Sequence, residues 1–391
     1  MAEERGASTV VPDPSITNAA LQQAASTRVI IVGAGPAGMT ATHQLRQLGV
    51  NVSVYEASGR IGGRIRHDTG FTDFPIALGG EWIHVGVDIL DEIVNDPGID
   101  VATPTRGYAP NDTVGRFNGR RLKTARIGRA FADRVFVNGS WFEFFERLIL
   151  PGIRDRIELN AAVTVVDSRG SDVQLHLADG RIESADHVIV TAPLQMLKDD
   201  TIEFLPRLSN RALRAVDRAR VWSGFKAFFE FSDAFYPTFL EFRDSETARG
   251  QRVYYDAAYG RNTEANVLGL FAVGKQAEQY QRLDDNQLRA YVLAELDRVF
   301  KGQATPRYIR HISQDWGAEP YIRQAYLADV ARVSTSRQLF QARTNKVLFA
   351  GDAYTLQNDW GSVHMAARSA RDAVKRIGAL VAGKAAAPLS L

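Results

Sequence analysis

The sequence predicts an α/β protein in two parts, a discontinuous domain on a parallel sheet and an inserted α+β domain with a mixed sheet. Three observations carry that prediction. A strand–helix–strand pattern opens at Arg28, a buried strand "KVLFAGD" and a helix over about 362–382 close the chain, and strands of mixed character lie between. A length of 391 residues also exceeds one simple core.

The first strand, "RVIIV" from Arg28 to Val32, is apolar and β-branched, as a strand buried on both faces should be. Gly33-Ala34-Gly35-Pro36-Ala37-Gly38 follows it, Pro36 sits near a helix start and Gly49 just past its end. "NVSVYE" then returns as a second strand, completing one βαβ unit. In that setting the glycines read as a dinucleotide fingerprint and the domain as Rossmann-like. The first glycine permits the turn, the second lets backbone approach a pyrophosphate, and the third lets helix pack on strand. The helix N-terminus favours the phosphates. Glu56 ends the second strand, where a carboxylate accepts from ribose hydroxyls and repels a 2′-phosphate.

NAD and FAD both satisfy that unit. "ASGRIGGRI" decides for FAD, because Arg60 and Arg64 flank Gly62-Gly63 in a second phosphate-binding turn suited to a long, buried dinucleotide.

Farther on, "PTRGYAPNDTVGRFNGR" is turn-rich, residues 141–150 form an amphipathic helix, and "RIELNAAVTVVDSRGSDVQLHLADGRIESADHVIVTAP" gives strands separated by Arg-Gly and Asp-Gly turns. Strand-like runs cover 221–231 and 252–273. "DDNQLRAYVLAELDRVF" is a helix with Leu288, Val292, Leu296 and Val299 on one stripe. The expected division is a disordered leader over 1–27, a FAD-binding domain from 28–86, 158–198 and 330–384, a substrate domain from 87–157 and 199–329, and a tail over 385–391.

Hydrophobic residues make up 45% and charged residues 24%, with a net charge of +2, a balanced surface unlike the basic stripe of a nucleic-acid binder. Cysteine is absent, which excludes disulfides, thiolate metal sites and thiol nucleophiles. The seven histidines show no ligand spacing, so no metal is expected. No apolar run suggests a signal peptide or membrane anchor, and a cytoplasmic location is expected. The oligomeric state is not legible.

These motifs, with "LGGEWIH", "ELNAAVTVVD", "VIVTAPLQMLK", "QDWGAEPYIRQAY" and "FAGDAYTLQNDWGSVHMAA" in order from about 28 to 383, resemble the flavin-containing amine oxidases, the monoamine and polyamine oxidase family. The resemblance implies that Gly80, Glu81 and Trp82 line the flavin edge and that backbone at Val163 holds the adenine. Gly351 and Asp352 would serve the ribityl chain, with Gly361, Ser362 and Val363 at a helix N-terminus facing the flavin's pyrimidine end. Trp316 would pack near the ring, and Tyr326 would form one wall of an amine cage, although ordinary core packing also fits it.

Lys226, in "GFKAFFEF", alternates with apolar residues as a solvent-face lysine would; the resemblance implies instead a buried catalytic lysine. Glu81 and His84 are candidates for drawing in the amine, or are structural. His364 is a structural or flavin-side residue. Ala325 stands where monoamine oxidases tether the flavin through cysteine, so FAD is expected to be non-covalent. Ser362 falls at the opposite cage wall, leaving a half-open cage unless Trp360 fills it. The short interval between "GEWIH" and "VNGSW" implies a reduced helical cap and a wider or more exposed cavity, suited to a bulky amine or completed by a partner. The alternative is a shortened but closed cap over a small-molecule amine.

The expected activity is FAD-dependent oxidation of a C–N bond by hydride transfer to flavin, giving an imine and, with O2, hydrogen peroxide. An amino-acid oxidase, a C–C desaturase or dehydrogenase, and a flavin-stabilised scaffold are the alternatives.

Overall fold

A computed structural model of the chain describes residues 18–128, 133–328, 344–355 and 361–382. Most of the leader and the tail lie outside these residues. The expected disorder of the leader fails at its end, where Asn18–Ser26 is helical. Ala24 is buried there against Val29 and Val52, apolar contact that holds the helix to the domain.

Five parallel strands form the first sheet, in the order Val347–Phe349, His187–Val190, Arg28–Val32, Asn51–Tyr55 and Ile157–Glu158. Both faces are covered, as the apolar "RVIIV" requires. Val29 and Ile31 pack with the helices Pro36–Gln47 and Val363–Val381, whereas Ile30 and Val32 pack with a second, four-stranded sheet. That second sheet holds Val163–Asp167, Val173–Leu177 and Ile182–Ala185. It also takes Glu203–Leu205, parallel to Val165–Asp167. The first domain therefore continues past the expected boundary at 198, because Phe204, Ala215 and Val216 share its core.

The inserted domain is an eight-stranded sheet with Gly224–Phe231, Asn266–Gly274 and Gly250–Asp256 at its centre. The helix Asp285–Phe300 covers one face. Its predicted stripe, Leu288, Val292, Leu296 and Val299, is buried, and Asp284 and Gln287 close a capping box. The other face looks toward the first domain.

Between His84 and Ile157 only Asp88–Val94 and Trp141–Leu148 are α-helical among the described residues. The turn-rich interval holds instead a hairpin, Thr113–Phe117 and Leu122–Arg126, annexed to the eight-stranded sheet through Phe239–Phe242. Glu92 joins the two regions by pairing with Arg368 at 3.1 Å.

Candidate functional site

The crevice at the carboxyl end of the parallel sheet is built from close backbone approaches. Gly33 has φ 105°, and a Cβ on Gly38 would lie 2.0 Å from Gly33 O. Helix and strand thus touch in a way no side chain permits. The two glycine turns abut, since Gly62 N–H bonds Ala34 O at 3.0 Å and a Cβ on Gly63 would come within 3.2 Å of Gly35 Cα. Pro36 and Ala37 open the helix at this junction.

Glu56 is buried beside the turn. Oε2 accepts from Ala34 N–H at 2.8 Å and Oε1 from Ser58 N–H and Oγ at 2.9 and 2.7 Å. A carboxylate offers about four acceptor positions, so capacity remains for a ribose hydroxyl. Ala161 N–H bonds Glu56 O at 2.9 Å, which brings the chain leading into Val163–Asp167 beside the end of Asn51–Tyr55.

The arginines divide. Arg60 does not line the cavity: its Nη1 donates to Gly63 O at 2.8 Å, Nη2 lies 3.7 Å from Glu319, and the guanidinium stands over Trp316. Its position is that of a brace on the second glycine turn. Arg64 does line the cavity, where Nη1 donates to Asp352 Oδ2 at 3.0 Å, Nη2 to Oδ1, and Nη1 also to Ala325 O. Such a fork-to-carboxylate pair is rigid. It carries Asp352, next to Gly351, toward Ala325.

Gly79 and Gly80 are held against Arg64 O, and Gly80 N–H donates to it at 2.9 Å. A Cβ on Gly80 would meet Val363 at 2.9 Å, so the "GGEW" turn touches the start of the closing helix. Ser362 Oγ accepts from Met365 N–H as that helix's cap and lies 3.0 Å from His364 Nε2. The expected second cage wall is thus a helix cap, set there by the following turn's need for an acceptor. Trp360 lies outside the described residues.

From this crevice a cavity of about 1000 Å³ runs over the face of the eight-stranded sheet. Lys226 faces Phe271 across neighbouring strands, and Phe271 faces Val253. Farther out Glu241 faces Arg116. These five residues line one floor, about 19 Å across at four strand spacings. Trp316, whose Nε1 donates to Leu78 O at 2.8 Å, and Trp82, whose Nε1 donates to Tyr108 OH at 3.0 Å, line the inner end.

The solvent-face reading of Lys226 fails, for the side chain is 4% exposed. Its Nζ donates to Ala77 O at 2.9 Å, Gly79 O at 3.0 Å and Glu81 Oε2 at 2.7 Å. All three ammonium hydrogens are therefore engaged. Burial lowers the lysine's pKa, while the Glu81 charge pulls the other way. Tyr255 OH donates to the same Glu81 oxygen, and burial, then Glu81, hold the phenol's pKa well above its ordinary value. Glu81 Oε2 is thus engaged by Lys226 and Tyr255, while the residue still lines the cavity. A buried carboxylate needs that pairing.

Tyr326 is half-buried on the cavity wall, its OH 3.2 Å from Gln251 Oε1 and its ring against Gly361. Burial raises its pKa, with a further push from Glu246. Trp222 meets it edge-on at 5.9 Å, since the two residues are strand partners. Neither Trp222, Tyr255 nor Gln251 was signalled by a motif; only the pairing of remote strands brings them here. His84 also lines the cavity, with Nδ1 2.9 Å from Asp133 Oδ1 and its ring 6.1 Å from that of His364. No cluster of metal-ligating side chains occurs among the described residues, nor is any helix there long and apolar enough to cross a membrane.

The family description "flavin containing amine oxidoreductase" matches residues 36–153 and 152–378. Human lysine-specific histone demethylase 2 is 26% identical over 76% of this chain and 47% of its own length, and mouse lysine-specific histone demethylase 1B is 25% identical over 76% and 46%. The chain spans under half the length of those relatives. Polyamine oxidase 3 of Oryza sativa subsp. japonica is 23% identical over 86% of each chain. A putrescine oxidase solved with putrescine bound superposes with a TM-score of 0.71 at 16% identity, over 90% of this chain and 98% of the other.

Proposed function

The chain belongs to the flavin-containing amine oxidoreductases, and from that premise we propose that it is an oxidase of a C–N bond with non-covalently bound FAD. The observation that carries the reading is continuity. One cavity leads from Arg64 and Asp352 at the mouth of the dinucleotide crevice, past Trp316 and Tyr326, to Lys226. The paired glycine turns form a backbone cradle that fits a pyrophosphate, and Glu56 has acceptor capacity for a ribose. Bound there, FAD supplies the acceptor for the hydride leaving the amine's α-carbon.

The protein's own groups do the rest. Trp82 and Trp316 exclude water at the inner end, and Tyr326 and Trp222 present aromatic surface that orients an amine. Lys226 has no open valence for the substrate's proton, so it acts as a fixed cation whose field Glu81 offsets. His84, bonded to Asp133 and partly in solvent, is placed to take the proton an incoming ammonium must lose before its nitrogen lone pair can form the C=N bond. Water then splits the iminium to a carbonyl compound and an amine. With O2 as terminal acceptor the accompanying product is hydrogen peroxide.

Ser362 in place of an aromatic residue on the cavity lining is compatible with a bulky or long amine. A second reading rests on Arg243, which lines the outer cavity, is exposed and has no ion pair among the described residues. It is placed to receive a substrate carboxylate, as an amino-acid oxidase requires. Anaerobic absorbance titration of the purified protein with monoamines, polyamines and amino acids separates the two. Bleaching of a flavin spectrum by simple amines, with peroxide on admitting air, supports the first. Bleaching by amino acids alone, lost in Arg243→Met, supports the second. A protein that takes up no FAD overturns both.

A further inference from the structure

The hairpin that replaces most of the turn-rich interval leaves a sheet edge open. Leu122–Arg126 pairs with Thr113–Phe117 and with no other strand among the described residues. Lys123, Thr124, Ala125 and Arg126 are exposed, and Leu122 is half-buried. Between Thr113 and Gly128 stand Arg116, Arg120, Arg121, Lys123 and Arg126, with no acidic residue. Glu241 neutralises Arg116 at 2.8 Å. The other four side chains are exposed and make no ion pair among the described residues. Arg116 and Lys123 even face each other across the strands, a like-charge juxtaposition that a sheet ordinarily avoids.

The phase of the ladder follows from its ends. Asn118 N–H bonds Arg121 O, and Ile127 N–H bonds Asp112 O. In an antiparallel pair inward and outward residues alternate, so Lys123 and Ala125 bond inward. Leu122, Thr124 and Arg126 direct N–H and C=O outward. Those groups form a template for one more strand.

Charge selects among the strands that could use it. A second copy of this edge would set cation against cation. A segment bearing carboxylates would relieve the unpaired arginines and lysine while completing the main-chain bonds. We propose that this edge is the docking site for an extended, acidic segment of a partner polypeptide, which adds to the sheet beside the cavity. Arg116 and Ile127, at either end of the hairpin, line the cavity, so the docked segment would lie along its outer wall. The proposal is independent of the amine reaction.

Fluorescence anisotropy on the full chain tests it, with a labelled peptide of alternating Glu and Val as probe. The same peptide methylated on every backbone nitrogen keeps the charge and loses the donors. The parent peptide is expected to bind, and to weaken at about 0.5 M NaCl. K123E/R126E should weaken it by about tenfold or more. Thr124→Pro removes one outward donor and no inward ladder bond, and should cost about fivefold with an unchanged circular dichroism spectrum. Equal binding of the methylated peptide, or indifference to Thr124→Pro, would reduce the edge to a non-specific polyanion surface and overturn strand addition. Absence of parent binding at low salt overturns the proposal outright. If Thr124→Pro fails to fold, the methylated peptide and K123E/R126E decide alone.

Discussion

In the dinucleotide crevice the decisive contacts are backbone on backbone, Gly38 against Gly33 and Gly63 against Gly35. In the cavity beyond it they are side chain on side chain, Lys226 with Glu81 and Tyr255, Trp222 with Tyr326, Glu241 with Arg116. The two regions therefore tolerate change differently. A crevice closed by main chain admits no substituent, whereas a cavity held by paired side chains can be altered if both partners change together.

Substitution in the crevice should give the largest effect. Gly38→Val puts carbon where Gly33 O stands, and FAD affinity should fall by about a hundredfold or more. The flavin-to-protein absorbance ratio after gel filtration measures this; a fully yellow variant would erase the contrast drawn here.

Next in size is Lys226→Met. It strands Glu81 in a site where the carboxylate is 5% exposed, and should cost about 3–5 kcal/mol in urea unfolding. The double variant K226M/E81Q should recover most of that loss. Strict additivity of the two changes would show that the pair is not coupled.

Outside both regions, the ion pair between the helix Asp88–Val94 and the closing helix should report through pH. The hydrogen bond from Arg368 holds the Glu92 carboxyl below its ordinary value. A depressed carboxylate pKa contributes stability above the unfolded-state value near 4.3 and loses it as pH falls below that. The wild type should therefore lose more stability than Glu92→Gln between about pH 5 and pH 3, where thermal melts can be compared. Identical slopes would place no energy in this contact.

Smallest is Tyr326→Phe, which removes only the hydroxyl's bond to Gln251 and keeps the ring. A rise of about threefold in KM with kcat nearly unchanged is expected in steady-state amine oxidation. A collapse of kcat would give the hydroxyl a larger role than wall geometry.

Much of the crevice was legible because its signals are local. "RVIIV", the glycines and Glu56 lie within a single βαβ unit, and the stripe of Leu288, Val292, Leu296 and Val299 lies within one helix. Arg60's partners were not legible, because a guanidinium's direction is not set by its neighbours in sequence. Glu319, brought in from a distant turn, turns it aside. Glu81's partners were likewise not legible, since Lys226 and Tyr255 reach it from strands more than a hundred residues away.

By itself the sequence determined the parallel sheet, the glycine turns and the order of the motifs, since strand burial, turn conformation and helix capping depend on residues within a few positions of one another. The tertiary structure alone decided which charges meet, where the hairpin Thr113–Arg126 goes, and that Ser362 caps a helix while still lining the cavity. Pairing register between remote strands sets those contacts, and no local pattern encodes which two strands will lie side by side.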